Sequence, residues 1–461
     1  MREGFHFWQF IVIAVGIVLF NPVSAAAQRP PTVPINLSYL RIDFIQPGAR
    51  SSALGGAFIG AAVDETAAAI NPAGLVYLKN AGASLHQRQA RMKYKEPEGS
   101  LELPNLKRNF HFNNFDQSLV TVFLPSKKIT FALFRQVVFD VRYNFETRQF
   151  LTTDSNLDDR FLLGGLGNFP GRKVALDLEM VHDAFAFGFS FSKRLSLGIA
   201  VKTSSLNFKL HEQVFLNPLI ASSTAPPDNS GEATYSVTTV DERATGLACI
   251  FGVLGKIIVD KLFAGAVLNL NPAFKLQSDI FLPLYQLGSQ TLEAIRLRNQ
   301  QFKLSVPDTY GLGLYYIANT RLRFTFDLIR IDYSDILSGN DLNVVVDDEP
   351  DAGGVFVDPD NQDDLQLDDA FEIHAGSEWL FKIPKLGLVP LRFGFYTNPG
   401  HRIHAANRDP DLNRLFSKPR DRVHFTFGMG IVLTGYLKFD GSIDFSEDGF
   451  QLNGSTLLTV Q

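Results

Sequence analysis

Residues 423–433 read VHFTFGMGIVL, a stretch in which large apolar side chains alternate with smaller or polar ones. A period of two places the two kinds of side chain on opposite faces of an extended chain, whereas an amphipathic helix would need a period of 3.6. The stretch therefore predicts a half-apolar β-strand. Its apolar face would carry Val423, Phe425, Phe427, Met429, Ile431 and Leu433.

The same alternation recurs along the chain, for example in AFAFGFSF at 184–191 and LRFTFDL at 322–328. We predict an all-β fold: a transmembrane antiparallel β-barrel of about 14 strands, because an even number of short alternating strands is typical of such barrels. The predicted strands are 80–93, 116–124, 129–145, 180–192, 195–209, 232–255, 262–280, 301–317, 320–335, 370–382, 388–397, 420–433, 435–446 and 450–460.

Connections between these strands alternate between short and long. Short turns such as 125–128, 193–194 and 318–319 would lie at one end of a barrel, and long loops at the other, as in bacterial outer-membrane proteins. Closure of the sheet would also remove the exposed edges that fourteen open strands would leave. The long loops are predicted at 94–115, 146–179, 210–231, 281–300, 336–369 and 398–419.

The start of the chain predicts export. Arg2, the apolar run at 10–20 and the small residues at 24–27 form the pattern of a secretory signal peptide over residues 1–27. The run is shorter than the roughly 20 residues of a spanning helix. The composition, with 41 Phe against 4 Met, favours a wall that shows aromatic side chains to lipid.

Residues 47–80 do not alternate. The segment PGARSSALGGAFIGAAVDETAAAINPAGLVYLKN is rich in Gly and Ala, which permit short helices and tight turns in a narrow space. A second short helix can begin at Asp64-Glu65-Thr66 and end at Asn71-Pro72. The composition fits either a compact plug inside the barrel or a small soluble subdomain.

This segment is similar to the N-terminal hatch of the FadL/TodX family of outer-membrane transporters for long-chain fatty acids and aromatic hydrocarbons. The resemblance rests on GARSSALGGAF at 48–58, DETAA at 64–68 and NPAGL at 71–75, and continues in VPDTYGLG at 306–313. Weaker similarities follow at 371–379, 391–399 and 422–430. Relatives with the same hatch pattern serve in secretion systems, so an outer-membrane barrel component or scaffold of a protein secretion system is the alternative function.

After the predicted signal peptide (1–27), the resemblance implies a leader and hatch (28–79) and a barrel (80–461). It also implies that hydrophobic molecules such as long-chain fatty acids are caught at outer loops, passed to a pocket beside the hatch and released sideways through the wall. The family's Asn-Pro-Ala motif corresponds to Asn71, Pro72 and Ala73. Both a ligand contact and a purely structural turn are open roles for it.

A second candidate ligand site lies in a long loop. Residues 281–298 have apolar side chains at helical spacing, which predicts a short amphipathic helix. It could capture cargo or simply close the barrel mouth, and an arginine would suit an anionic head group. The candidate residues are Leu284, Leu287, Ile295 and Arg296.

The third predicted strand contains a break in its alternation. Arg135 falls on the same face as Phe131, Leu133 and Val137, and a guanidinium facing hydrocarbon is costly. Either a bulge over Phe134-Arg135-Gln136 turns Arg135 inward, or the wall is interrupted there, or Arg135 reaches a lipid head group. Phe134, Arg135 and Gln136 are thus candidates for the lateral gate.

The sequence predicts no enzyme, because no nucleophile elbow, phosphate loop or HExxH motif is present. Cys249 sits in an apolar strand, and His401 and His404 lie in an Arg-rich loop, where we expect them to be solvated. The acidic stretch 341–369 lacks the spacing of an EF-hand, so a solvated loop is favoured over a calcium site, although the two charge-biased loops could interact.

We therefore expect no metal and no cofactor. The expected partners are a hydrophobic small molecule or lipid, outer-membrane lipids and the barrel-assembly machinery. The net charge of −5 gives no reason to expect nucleic acid, and the barrel is expected to be a monomer.

Overall fold

A computed structural model describes most of the chain from Leu40 onward. The described residues are 40–96, 108–147, 150–152, 162–163, 166–169, 171–216, 233–282, 285–287, 290–292, 295–337, 365–384, 387–405, 418–434 and 436–460. The predicted signal peptide and the acidic stretch 341–364 lie outside them. The choice between a solvated loop and a calcium site in that stretch therefore stays a prediction.

Fourteen antiparallel strands form the barrel wall, as the alternation predicts. They are β1 (Ala81–Glu96), β2 (Arg108–Pro125), β3 (Ile129–Thr147), β4 (Gly171–Ser190), β5 (Leu195–Leu216), β6 (Ala233–Ile258), β7 (Leu262–Leu270 and Ala273–Leu282), β8 (Ile295–Ser305 and Thr309–Ile317), β9 (Leu322–Ile331), β10 (Ala370–Ile383), β11 (Gly387–Asn398), β12 (Arg422–Thr434), β13 (Leu437–Ser446) and β14 (Gly449–Val460).

Each strand pairs with its neighbours in sequence, and the first strand pairs with the last. The closing ladder of β1 and β14 runs from Ala81 opposite Val460 to Met92 opposite Gly449. Closure gives the wall no free edge at this seam, so it satisfies backbone groups that water cannot reach in a bilayer. The prediction of a closed fourteen-stranded barrel is confirmed.

Two adjacent strands are interrupted at prolines. β7 breaks at Asn271-Pro272, and β8 breaks at residues 306–308, which include Pro307. Proline has no backbone N–H to give to the ladder, and Asn271 bridges the breaks by donating its side-chain amide to Pro307 O at 2.7 Å.

Several strands run further toward the long loops than the alternation predicts. β4 begins at Gly171 and not near 180, and β5 continues to Leu216 and not to 209. The apolar positions change faces along these strands: Phe185, Phe187 and Phe189 lie on the outer face of β4, whereas Leu176 and Leu178 are buried on its inner face. Because the apolar side chains change faces, alternation alone does not show that the strand continues.

The outer face forms an apolar belt. Large side chains such as Leu133, Phe185, Phe393 and Met429 are exposed there. Lipid-facing aromatic and aliphatic side chains around a closed wall are the mark of a transmembrane barrel of the outer-membrane kind. Within the described ranges, no helix is long and apolar enough to cross a membrane.

Residues 40–80, called here the N-terminal segment, contain the helices. These are α1 (Ala49–Ala53), α2 (Ala67–Ile70) and a 3-10 helix (Pro72–Tyr77). Almost all side chains from 47 to 69 are buried, although few of them are large. A further 3-10 helix, Tyr333–Ile336, follows β9.

At the long-loop end, the described residues of 281–298 form strands and not the predicted amphipathic helix. That prediction is wrong: Tyr285–Leu287 pairs with Gln290–Leu292, and Ile295 onward belongs to β8, because the chain continues the β7–β8 hairpin outward. Other short strands are Phe150–Thr152, Leu162–Leu163 and Leu166–Phe169, and Leu365–Gln366 with His404–Ala405.

The predicted contact between the acidic and Arg-rich loops is confirmed for their described ends. Leu365 lies opposite Ala405 in a short ladder, and Lys418 Nζ is 2.8 Å from Asp368 Oδ2. The expectation that the two histidines are solvated is wrong. His401 and His404 are each 2% exposed, because His401 stacks on the Tyr333 ring and His404 joins the short ladder.

The apolar belt predicts where a charge is tolerated. Phe427→Arg, on the outer face of β12, should lower the free energy of unfolding by about 2–4 kcal/mol, whereas Ser205→Arg, on the polar outer part of β5, should cost under about 1 kcal/mol. Urea unfolding of the protein refolded into lipid vesicles measures both. Equal losses at the two positions would show that the belt is misplaced.

Candidate functional site

The N-terminal segment lies in the lumen, because it touches strands all around the wall. Glycines on the inner faces of β4, β5, β6, β7, β8, β10, β11 and β12 make this possible. They are Gly188, Gly198, Gly252, Gly265, Gly313, Gly376, Gly394 and Gly428. This ring of mid-strand glycines is visible in the sequence, yet sequence reasoning missed it.

The backbone of the segment comes closest to the wall at β5 and β11. A Cβ atom at Gly198 would lie 2.1 Å from Ala73 N, and one at Gly394 would lie 2.2 Å from Gly55 N. No residue with a side chain fits at such distances, so backbone packs directly on backbone. Gly55 itself has φ +66, a conformation that also favours glycine.

Asn71 fastens the segment to β6. Its side-chain amide donates to Ile59 O at 3.0 Å and to Val253 O at 3.2 Å, and its carbonyl accepts from Ala73 N at 3.2 Å. Asn71 thereby begins the 3-10 helix of Pro72 and Ala73 while it holds the wall. These contacts support the structural role for the Asn-Pro-Ala motif, and ligand contact stays a prediction.

A buried ion network fastens the other side of the segment. Arg50 in α1 contacts Asp64 at 2.9 Å and Glu378 of β10 at 3.1 Å, and Glu378 also binds Arg392 at 2.8 Å. Burial opposes the charge on Arg50, but Glu378 and Asp64 hold its pKa well above the usual value. Removing one partner of such a buried network costs about 3–5 kcal/mol.

Polar groups of the wall also bind the segment's backbone. The Asp327 carboxylate accepts from Phe58 N at 2.5 Å and Ile59 N at 2.7 Å. Thr426 Oγ1 accepts from Gly55 N and donates to Ala53 O, both at 3.0 Å. The Thr426 hydroxyl therefore attaches the segment to β12.

Between the segment and the long loops, the lumen is apolar. Inward side chains of β3 to β8 form one buried cluster with Leu40 and Ile42 of the segment. Porin-like channels line this space with polar groups, so the lining is unusual for a water-filled pore. Representative members are Phe139, Leu178, Met180, Phe208, Leu276 and Leu304.

The wall is open between β2 and β3. Their ladder runs from Pro125 opposite Thr130 to Leu119 opposite Gln136. Beyond that point, the described residues of β2 pair with β1 alone and those of β3 with β4 alone. The two strands therefore separate on the long-loop side of Gln136.

Arg135 lies at the start of this opening and faces outward. It forms an exposed ion pair with Asp183 of β4 at 2.8 Å, at the level where the outer face changes from Phe185 to polar groups. The proposed bulge at Phe134-Arg135-Gln136 is wrong. The ladder with β4 stays regular there, and the bulge falls at Val138, so Phe134 and Gln136 both remain buried on the inner side.

The bulged residue contacts the N-terminal segment. Ile45 N donates to Val138 O at 2.8 Å, and the Phe44 and Phe139 rings meet edge to face at 6.5 Å. The segment thus replaces part of the ladder that β2 does not supply. Sequence reasoning located the third strand and an irregularity near residue 135, but not the separation of two strands.

A polar cavity of about 80 Å³ lies beside the opening. Arg41 and Asp43 of the segment line it, together with Asp140 at the edge of β3 and His424 and Asn398 from the opposite wall. Burial would raise the pKa of Asp43, but Arg41 and His401 hold it well below its usual range.

The loop candidates are only partly described. Leu284 lies outside the described residues, as do the side chains of Leu287 and Ile295. Arg296 is exposed, and its guanidinium lies 4.6 Å from the centre of the Phe281 ring. Across the described part of the chain, no group of three or more His, Cys, Asp or Glu is arranged to hold a metal ion.

No family model matches this sequence, and no curated protein matches it significantly. Solved structures do. A Pseudomonas aeruginosa FadL homologue matches with TM-score 0.57 and 15% identity over 90% of this chain and 97% of that one. The Pseudomonas putida toluene transporter TodX matches with TM-score 0.54 and 14% identity over 89% of this chain and 96% of that one. The Ralstonia pickettii toluene transporter TbuX matches with TM-score 0.54 and 13% identity over 90% of this chain and 98% of that one.

The chain has the fold of the FadL-type barrels. At 13–15% identity the likeness is one of fold alone.

The glycine ring of this FadL-type barrel predicts a sharp steric effect. Gly198→Ala should lower the free energy of unfolding by about 1–3 kcal/mol, because the new methyl overlaps the backbone of Pro72 and Ala73. Gly454→Ala is the matched control, since a Cβ there meets nothing within 4 Å. Similar losses in both variants would place the segment elsewhere.

Glu65 of the segment predicts a pH dependence. Burial, with the negative charge of Asp64, raises the pKa of Glu65 from 4.5 to about 7, so the folded state holds a proton that the unfolded chain releases. Stability should therefore fall as the pH rises from about 4.5 to 7. Glu65→Gln should flatten that slope and be more stable than the natural protein above pH 7. An unchanged slope in urea titrations would contradict this assignment.

Proposed function

We propose that this protein takes up hydrophobic small molecules across the outer membrane and releases them sideways through the opening between β2 and β3. The observation that carries the proposal is the apolar lumen, which runs from the long-loop end to the bulge at Val138. The toluene transporters TodX and TbuX share its fold, and long-chain fatty acids are one further class of cargo with the required apolar chain.

The lumen suits an apolar guest on energetic grounds. Phe208, Leu276 and Leu304 pack against one another in the buried cluster. Burial of apolar surface contributes roughly 25 cal/mol per Å², so a short hydrocarbon that moves between these side chains is stabilised without any charged partner. A small polar solute would lose its hydration there and find few hydrogen-bond partners. The lining therefore selects for apolar cargo.

Residues 28–79 act as the hatch in this proposal. Asn71 on one side and Arg50 on the other tie the described part of the segment to the wall, and the glycine ring leaves little space around it. Displacement of the segment would break a buried ion network, at about 3–5 kcal/mol. A straight exit past the hatch is therefore unfavourable, and the sideways exit is favoured.

The outer loops complete the route. Leu284, Leu287, Ile295 and Arg296 stay the proposed capture residues at the mouth. The backbones of Leu287, Ile295 and Arg296 lie in strands and not in a helix. Phe134, Arg135 and Gln136 border the proposed lateral gate, where Phe134 and Gln136 face inward and Arg135 marks the outer rim.

Deletion of Val138 tests the lateral route. The β3–β4 ladder is regular on both sides of this residue, so its removal lets β3 continue without a bulge and should narrow the opening. We expect uptake of a radiolabelled aromatic hydrocarbon by intact cells to fall at least about tenfold, with binding to purified protein retained. Leu133→Met is the matched control and should take up cargo normally, because Leu133 lies on the outer face of β3 where the ladder with β2 is intact, and the change leaves the bulge in place.

Heat-modifiable gel migration confirms that each variant is a folded barrel. Unchanged uptake in a folded Val138 deletion would refute the lateral exit. Failure of the natural protein to bind or take up any hydrophobic compound would refute transport itself, and a protein partner that copurifies without lipid would then favour the secretion-system scaffold.

A further inference from the structure

The polar cavity beside the opening has no role in the transport of a pure hydrocarbon. It is lined by Arg41, Arg88, Arg142, Asp43, Asp140 and Asn398, among others, and it adjoins the apolar lumen through Val141 and Ile331. A cargo molecule that leaves by the β2–β3 opening passes this cavity. The polar groups of this cavity therefore determine which head group the cargo can have.

The cavity's arginines are already neutralised. Arg41 lies 2.9 Å from Asp43, Arg88 lies 2.9 Å from Asp116 across the β1–β2 ladder, and Arg142 lies 2.9 Å from Asp140. An incoming carboxylate would have to displace one of these carboxylates. The charge balance thus disfavours an anionic head group.

Two residues that line the same cavity each carry a buried side-chain atom without a hydrogen-bond partner among the described residues. Asn398 donates its amide N–H to Asp43 at 3.0 Å, which leaves Asn398 Oδ1 unpaired. His424 directs Nδ1 to Asp444 at 2.9 Å, which leaves Nε2 unpaired and, in the neutral ring, an acceptor. Asn398 and His424 are 7% and 3% exposed, and unpaired polar atoms so deeply buried call for a donor.

We propose that this cavity binds a small uncharged hydroxyl-bearing head group, so that the cargo is an amphiphile of the fatty-alcohol class. The hydroxyl donates to Asn398 Oδ1 or His424 Nε2, and the apolar tail lies among Val141, Ile331 and the lumen cluster. The cavity of about 80 Å³ has room for a group larger than one water molecule, which suits a hydroxymethyl end. The inference rests on the proposed uptake of hydrophobic compounds and names their head group.

Competitive binding of three probes with equal chains tests the inference: 1-decanol, decane and decanoate. The full protein is extracted in lauryldimethylamine oxide, which has no hydroxyl group, and occupancy is measured by native mass spectrometry. We expect decanol to bind at least about fivefold more tightly than either other probe, which is the effect of one buried hydrogen bond.

Two variants locate the effect. Asn398→Leu and His424→Phe should each reduce the preference for decanol over decane by about threefold or more. Asn453→Leu is the matched control, because this lumen amide binds Ser52 at 2.9 Å and does not line the cavity, so its preference should stay unchanged.

Equal binding of decanol and decane would mean that the cavity holds water only, which overturns the head-group inference but leaves hydrophobic uptake intact. Tightest binding of decanoate would overturn it in favour of a carboxylate site. Loss of the preference in all three variants would place the effect outside the cavity and also overturn it. Binding of none of the probes by folded natural protein would contradict the proposed function itself.

Discussion

Backbone hydrogen bonding in a solvent without water is the constraint from which the rest of the structure follows. In hydrocarbon, each unpaired N–H or C=O costs several kcal/mol, so a sheet can cross a membrane only if it closes on itself. The ladder of β1 with β14 provides that closure. Fourteen strands enclose a space wider than their own side chains can fill, and this space is the origin of every functional feature.

The N-terminal segment fills the short-turn half of that space. It packs by backbone contact at the glycine ring and by charge at Arg50, Glu378 and Arg392. The two kinds of contact complement each other, because glycines let the backbones approach closely but have no side chain that could bind the segment. The ion network and Asn71 supply the specific attachment that fixes one arrangement.

At the opening between β2 and β3, some of the described backbone groups have no neighbouring strand to pair with. β2 and β3 separate at Gln136, at the level where outer side chains change from Phe185 to the Arg135–Asp183 pair. The unpaired edges therefore begin where charged side chains replace the aromatic ones on the outer faces of β3 and β4, and Ile45 supplies a hydrogen bond to Val138 from the inside. An opening at this depth costs less than one in the middle of the apolar belt.

The sequence by itself determined the number of strands and their pairing order, because a period of two is a local signal that runs through stretches such as 423–433. It did not determine where β4 and β5 end toward the long loops. It also predicted the short helices of the N-terminal segment, whose small residues and Asn71-Pro72 step are local features. Tertiary structure alone decided the rest. The 281–298 loop extends a hairpin, His401 is buried under Tyr333, and the bulge falls at Val138, because each depends on residues far away in the chain. The apolar lumen, the opening and the cavity arise only when distant strands meet around one axis.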